Sequence, residues 1–256
     1  MGRRPVRGKQ DQLPVSEMVT DALIRHDSKV IELRWSWGSK IAEQLLRDGL
    51  QGVGDLFQGD VLDLGCGMKP YEPLLGARVR RWIGLDRRST ASGRPRSDVF
   101  GVVAAVPFRA DSFDVVLCTQ VLEHLPVPAV LFQQAHEVLR PGGFLILTTP
   151  QTNPLHEEPE DFFRFTPYSL RLLATQAGFE ITRLEQLGGA LATVIQMLIW
   201  HLNWLRSIPL VGPPLWRGVT ASLAWLALRL DRPTLRYWRG AAKDTLNWLL
   251  VARKVK

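Results

Sequence analysis

Cysteine is almost absent. The two present, Cys66 and Cys118, have no metal-ligand spacing around them, so a cysteine-held metal is excluded and a reducing, cytoplasmic compartment is the default. The five histidines, His26, His124, His136, His156 and His201, share no ligand spacing either, and no metal is expected. No apolar stretch follows the basic start MGRRPVRGK, so no signal peptide is expected. Myristoylation is excluded because Val6 stands where the signal needs Ser or Thr. No nucleic-acid-binding motif occurs, and many of the positive charges behind the net +7 are interleaved with bulky apolar groups. Nucleic acid is therefore not expected as a partner.

What is present is a chain of 256 residues, 46% hydrophobic, enough for one large α/β domain with an elaboration. Short runs rich in Val, Leu and Ile predict strands at about 60–64, 81–86, 98–103, 113–119 and 144–149. Helical spacing appears over 16–50, through Val19, Leu23, Ile24, Ile31, Ile41, Leu45 and Leu46, and again at Val130, Leu131, Ala135, Val138 and Leu139. Thr166 followed by Pro167 predicts a helix start, and Gly178 a stop. The alternation of strand and helix argues for a parallel sheet.

The most informative run is VLDLGCG, Val61 to Gly67, with Asp86 closing RWIGLD. A strand ending in Asp63, Gly65 and Gly67 lets backbone approach a ligand closely, and an acid ending the next strand offers a carboxylate to ribose hydroxyls. The third glycine of a dinucleotide loop is missing, because Pro70 takes its place. Asp63 would also repel a pyrophosphate, and it suits a cationic or zwitterionic ligand instead.

Three further motifs follow in order: VPFRADSFDVVLCTQVLEHL (Val106 to Leu125), EVLRPGGFLILTTP (Glu137 to Pro150) and PLHEEPEDFFRFT (Pro154 to Thr166). With these the chain resembles the class I S-adenosylmethionine-dependent methyltransferases, type 11 branch, from about Asp60 to Gly189 and again in the last ten residues. The resemblance implies a doubly wound, Rossmann-like α/β fold. Its sheet would have seven strands, mostly parallel, with an antiparallel last strand at about Leu246 to Lys254 paired with Phe179 to Leu187.

S-adenosylmethionine is then the expected cofactor. The resemblance implies that Asp63, Gly65, Cys66 and Gly67 hold its methionyl part and Asp86 its ribose. Backbone at Val103 and Ala104 would flank the adenine, since Val102 replaces the Asp found in many relatives. Thr119, Gln120, Glu123 and His124 leave the fourth strand and should face the methyl group. His124 reads either as a general base or as a strand-closing residue, and Glu123 as structural or cofactor-orienting. His156 is a candidate base or substrate ligand, with Asp161, Arg164 and Phe165 at the substrate rim. Arg164 paired to Asp161 as a loop staple is the competing reading.

Residues 188–245 differ from the rest. They hold five of the nine tryptophans and seven Arg and Lys against two Asp. Leu191, Val194, Ile195, Leu198, Leu202 and Leu205 form an apolar stripe with Thr193, Gln196 and Asn203 opposite. After IPLVGPP a second stripe runs through Leu215, Val219, Leu223, Leu226 and Leu230. The expected organisation is an N-terminal helical cap (1–55), a cofactor-binding domain (56–187 with 246–256) and a basic amphipathic helical hairpin (188–245). The hairpin reads as a shallow insertion into an anionic membrane surface, as a soluble lid or dimer contact, or as a spanning helix. The expected function is methylation of a lipophilic or lipid-linked acceptor by a cytoplasmic enzyme held peripherally on the inner face of the membrane. A soluble small-molecule methyltransferase and an inactive cofactor-binding partner protein are the alternatives.

Overall fold

The apolar runs become strands whose side chains alternate between two buried faces. In β1 (Gly59–Leu64), Val61 packs on one face of the sheet, and Leu62 and Leu64 on the other. In β4 (Phe113–Thr119), Val115 and Leu117 share the first face, and Val116 and Cys118 the second. Burial on both sides explains why these strands read as continuous hydrophobic runs rather than alternating ones. Each such side chain contributes about 2 kcal/mol by leaving water.

The computed structural model describes residues 40–74, 76–88, 95–208, 212–237, 240 and 243–255. Every described residue lies within the compact unit 32–256. The helical reading of 16–39, with Val19, Leu23, Ile24 and Ile31, falls outside the described residues. Ile41, Leu45 and Leu46 sit on the first described helix, α1 (Lys40–Gln51).

The remaining strands are β2 (Val79–Asp86), β3 (Val99–Phe100), β5 (Leu139–Pro150), β6 (Phe179–Leu187) and β7 (Asn247–Lys254). They form one sheet in the order β3-β2-β1-β4-β5-β7-β6. β1 through β5 pair in parallel, and β7 runs antiparallel between β5 and β6. The chain winds outward from β1 to β3 and then returns to β4 on the other side of β1. That reversal opens a crevice at the C-terminal ends of β1 and β4.

Two boundaries differ from expectation. β3 shrinks to two residues, because Val102 turns back to bridge Ala105. β5 begins at Leu139 rather than at about 144, and takes in Pro141, Gly142 and Gly143. Partner register slips there between Phe113 and Val115, with Gly142 at φ +83 taking up the extra residues.

Helices α2 (Ala129–Val138) and α3 (Pro167–Gln176) cover the face built on Leu62, Val116 and Leu145, while α1 covers the other. Thr166 caps α3 in a reciprocal box with Ser169, Pro167 stands in its first turn, and Gly178 follows its end at φ +86.

Between β6 and β7 come α4 (Ala190–His201), a 3₁₀ segment Leu202–Ser207 and α5 (Gly212–Tyr237). The expected stripes do not define their inner faces. α4 buries Thr193 and Gln196 beside Ala192, Ile195 and Ile199, while Val194 (63% exposed) and Leu198 face out. α5 buries Trp216, Thr220, Ala224, Ala227 and Asp231, and leaves Leu215, Leu226 and Leu230 exposed.

The physical reason lies in close packing, which small side chains permit, and in one buried acid. Asp231 accepts hydrogen bonds from the N–H groups of Gly189 (2.7 Å) and Ala192 (2.9 Å), clamping the start of α4 from α5. Among the described residues no helix is long and apolar enough to cross a membrane.

Candidate functional site

One side of the crevice is built by the loop after β1. Gly65 adopts φ +72, and a Cβ there would meet Val121 at 2.3 Å, so only glycine lets this turn tuck under the loop after β4. Gly67, at φ +49, has open space where its Cβ would stand. Cys66 is buried and its thiol is pushed up to about 12, mainly by burial, which makes it an inert packing group.

Asp86 accepts from the N–H groups of Gly67 and Arg87, both at 2.7 Å, which ties the end of β2 to the glycine loop. Asp63 is 2% exposed. Its Oδ1 has no partner in full hydrogen-bond geometry among the described residues; the neighbouring Trp82 indole N–H is the donor that leans toward the carboxyl and pulls its pKa down. Burial raises its carboxyl to about 7 against the pull of Lys69, and Asp86 adds to the rise.

A buried acid under the glycine loop with one oxygen short of a hydrogen bond fits a ligand that brings a positive charge. The ammonium of a methionyl group does this, and a pyrophosphate does not. Farther along the edge, Val103 is buried and Ala104 half-buried in the turn closed by Ala105 N–H to Val102 O (3.0 Å), where backbone is available to an adenine. Thr119 ends β4, and Gln120 follows at φ +55 with its N–H on Thr148 O at 2.9 Å.

Beside the crevice lies a cavity of about 240 Å³. Of the residues singled out in the sequence, Gln120, His124 and His156 line it. Sequence reasoning missed Glu43 on α1, Asn153 and Glu157 after β5, Asn247 on β7 and Trp200 on α4. Glu157 lies within the motif Pro154 to Thr166, while no local pattern marks the others, since the fold assembles this wall from five separate segments. The Trp200 indole N–H is buried and unbonded among the described residues.

Asp161, Arg164 and Phe165 do not line the cavity. Arg164 grips Asp161 through two bonds, 2.6 and 2.7 Å, and donates to the carbonyls of Asn153 and Pro154. This is the loop staple. Burial alone would raise the Asp161 carboxyl, but Arg164 and the His156 N–H outweigh it and hold it below the usual range. Phe165 is 4% exposed and belongs to the core. Across the crevice, Arg87, just after β2, pairs with Glu160 at 2.5 Å, linking the end of that strand to the loop after β5.

His124 and His156 meet edge to face with ring centroids 4.8 Å apart. Glu123 lies fully buried beside them, in the single turn Leu122–His124. Its backbone oxygen receives the N–H groups of Phe162 and Phe163, fastening the post-β5 loop. Burial raises the Glu123 carboxyl to about 7, with His124 pulling the other way, while burial and the neighbouring His124 lower His156.

A family described as methyltransferase domain matches residues 38–184, more than half of the chain. The chain belongs to the methyltransferase domain family. With its sheet order and glycine loop it has the class I, S-adenosylmethionine-dependent form of that fold, and the crevice residues fit that cofactor.

A Mycolicibacterium smegmatis protein named a probable S-adenosylmethionine-dependent methyltransferase is 36% identical over 134 residues, 48% of this chain and 52% of that one. A ubiquinone biosynthesis O-methyltransferase of Leptothrix cholodnii is 31% identical over 117 residues, 41% of this chain and 49% of that one. The chain thus spans about half the length of these curated relatives. In solved structures the fold recurs in an S-adenosylmethionine-dependent methyltransferase from Archaeoglobus fulgidus, at TM-score 0.54 and 15% identity over 87% of this chain and all of that one.

Proposed function

We propose that this chain transfers a methyl group from S-adenosylmethionine to an oxygen of a lipophilic or lipid-linked acceptor at a membrane surface. Once bound, the cofactor supplies a methyl group activated on a sulfonium, so the protein has to align the acceptor, exclude water and manage a proton. Asp63 would hold the ammonium and Asp86 the ribose, with the acceptor seated between Gln120, Asn153 and Trp200. The hydroxyl would be activated where His124 and His156 line the cavity. Relatives named as O-methyltransferases support oxygen as the acceptor atom.

The observation that carries the membrane reading is the inverted burial of the hairpin. Large apolar side chains that could have filled its interior point outward: Val194, Met197 and Leu198 on α4, Trp204 beyond it, and Leu215, Trp225, Leu226 and Leu230 on α5. Arg206, Arg217 and Arg229 are exposed among them, and the Arg229 guanidinium lies 5.5 Å from the Trp225 ring centre. Exposed apolar groups of this kind, mixed with arginines, suit the headgroup region of an anionic bilayer. The same hairpin supplies Trp200 to the acceptor cavity, which would place that cavity beside the lipid. The expected setting is the inner face of a membrane, held peripherally.

The test is flotation with phosphatidylglycerol liposomes, followed by labelled methyl transfer into phase-separated cell extract. The expected result is protein in the floated fraction and label in the lipid phase. Protein that stays at the bottom, with label only in the aqueous phase, establishes the second reading, which Trp200 in the cavity wall also supports: a soluble enzyme with the hairpin as lid. Absence of S-adenosylmethionine binding by calorimetry would instead leave an inactive partner protein.

A further inference from the structure

Two side chains join opposite sides of the crevice. Arg87 follows Asp86 at the end of β2, and Glu160 stands in the loop after β5. In the sheet, β1 and β4 lie between those two strands. The crevice opens at the C-terminal ends of β1 and β4, so the ion pair of Arg87 and Glu160, at 2.5 Å, arches over it.

Both footings of the arch are fixed by short bonds. On one side the Arg87 N–H donates to Asp86 Oδ1 at 2.7 Å, while Asp86 Oδ2 accepts from the Gly67 N–H. On the other side the loop after β5 leans onto the exit of β4. The Phe162 N–H donates to the Glu123 carbonyl at 2.9 Å, and the Glu160 N–H to the Glu157 carbonyl at 3.1 Å. His124 Nδ1 lies 2.6 Å from the Glu160 carbonyl oxygen, and because a carbonyl only accepts, that nitrogen donates. From the exit of β4 to β2 is two strand spacings, about 10 Å. The gap lies over the end of β1, which carries the glycine loop, and an arginine and a glutamate meeting head to head can cross it.

A side-chain pair can part and re-form without unpairing any strand. Here the two side chains are 41% and 28% exposed, so water and salt reach them. Pairs placed in this way are weak enough to open and are screened by salt. Next to the gap stand the residues that fit the cofactor, Asp86 for its ribose and Gly65 to Gly67 for its methionyl part.

We infer that the Arg87–Glu160 pair is a strap that closes over bound S-adenosylmethionine and gates its exchange. The strap needs the cofactor and not a lipid acceptor, so it stands apart from the membrane reading. Once formed over the ligand, the pair blocks the way out above β1, and parting it opens that way for S-adenosylhomocysteine to leave. The Glu160 backbone also holds His124, which lines the neighbouring cavity. Parting the pair therefore loosens that wall too, so that cofactor exchange and the seating of an acceptor take turns.

The experiment loads the full chain with tritiated S-adenosylmethionine and follows its release after a chase with unlabelled S-adenosylhomocysteine. Release from wild type should speed up about threefold between about 0.05 M and about 0.5 M NaCl. Arg87→Ala and Glu160→Gln should each speed it about fivefold at low salt and abolish the salt dependence. The double variant should release no faster than either single one, because both substitutions remove the same contact. Arg88→Ala, at the next arginine, which lies over the Phe100 ring instead, should change nothing.

Release that is equally fast in wild type and both variants overturns the strap, and so do effects that add in the double variant. The salt series on wild type decides the matter even if a variant fails to fold, since a rate that stays flat sends the cofactor out by another route. Wild type that retains no label removes the strap together with its ligand.

Discussion

Asp63 is a carboxyl removed from water with one oxygen left unbonded, and its behaviour with pH follows. Burial, aided by Asp86 and opposed by Lys69, sets its pKa at about 7 in the ligand-free protein. An arriving ammonium favours the charged form, so binding of S-adenosylmethionine below pH 7 must expel a proton. Affinity should therefore fall about tenfold per pH unit from 7 down to 5.5 and level off above 7. Calorimetry in two buffers of different ionisation enthalpy reads the released proton directly. Asp63→Asn should bind 10- to 100-fold more weakly at pH 7.5, about the worth of a charged hydrogen bond, with the pH slope gone.

Among the elements, the hairpin α4–α5 depends most on one contact between distant residues. Asp231 serves two N–H groups at the start of α4, 42 residues away for Gly189. Asp231→Ala leaves those donors buried and unsatisfied, so it should cost about 2–3 kcal/mol in urea unfolding. It should also raise KM for the acceptor more than it lowers kcat, because Trp200 loses its anchor. Asp231→Asn, which keeps one acceptor oxygen, should recover part of both.

The elements that local pattern specifies were legible in the sequence. The strands showed as apolar runs, α3 in its Thr166–Pro167 start, and the glycine loop in Val61 to Gly67. The inner face of the hairpin was not legible, because its leucine stripe and its buried stripe of Thr193, Gln196, Thr220, Ala224 and Asp231 compete. Only close helix packing and the Asp231 bond decide between them. Nor does any sequence spacing reveal the meeting of Glu123 and His124 with His156, since that depends on β4 and β5 ending side by side.

Across the whole molecule the sheet has a working edge and a structural one. At the N-terminal ends of the strands, Asp60, fully buried on β1, is ringed by Arg80, Arg81 and Arg140. Arg140 also pairs with Asp114 at 2.7 Å, so one carboxylate network joins β1, β2, β4 and β5. The bonds from Arg81 and Arg80 hold the Asp60 carboxyl far below its ordinary 3.8. A depressed acid contributes its stability fully above the unfolded pKa and loses it as pH falls below. Wild type should therefore begin to lose urea stability as pH falls through about 4 and go on losing it at every lower pH down to the depressed Asp60 value. Asp60→Asn should be about 2 kcal/mol less stable at pH 7 and show a shallower acid slope.

β7 lies between β5 and β6, yet the hairpin is synthesised before it. Until β7 arrives, β6 has no pairing strand and the rim of β5 stays open. At roughly 5–20 residues per second, the ribosome leaves that gap for several seconds. During this interval the outward leucines and tryptophans of α4 and α5 are already made while the sheet is incomplete. The nascent chain thus has its greasiest surface on show before its architecture locks.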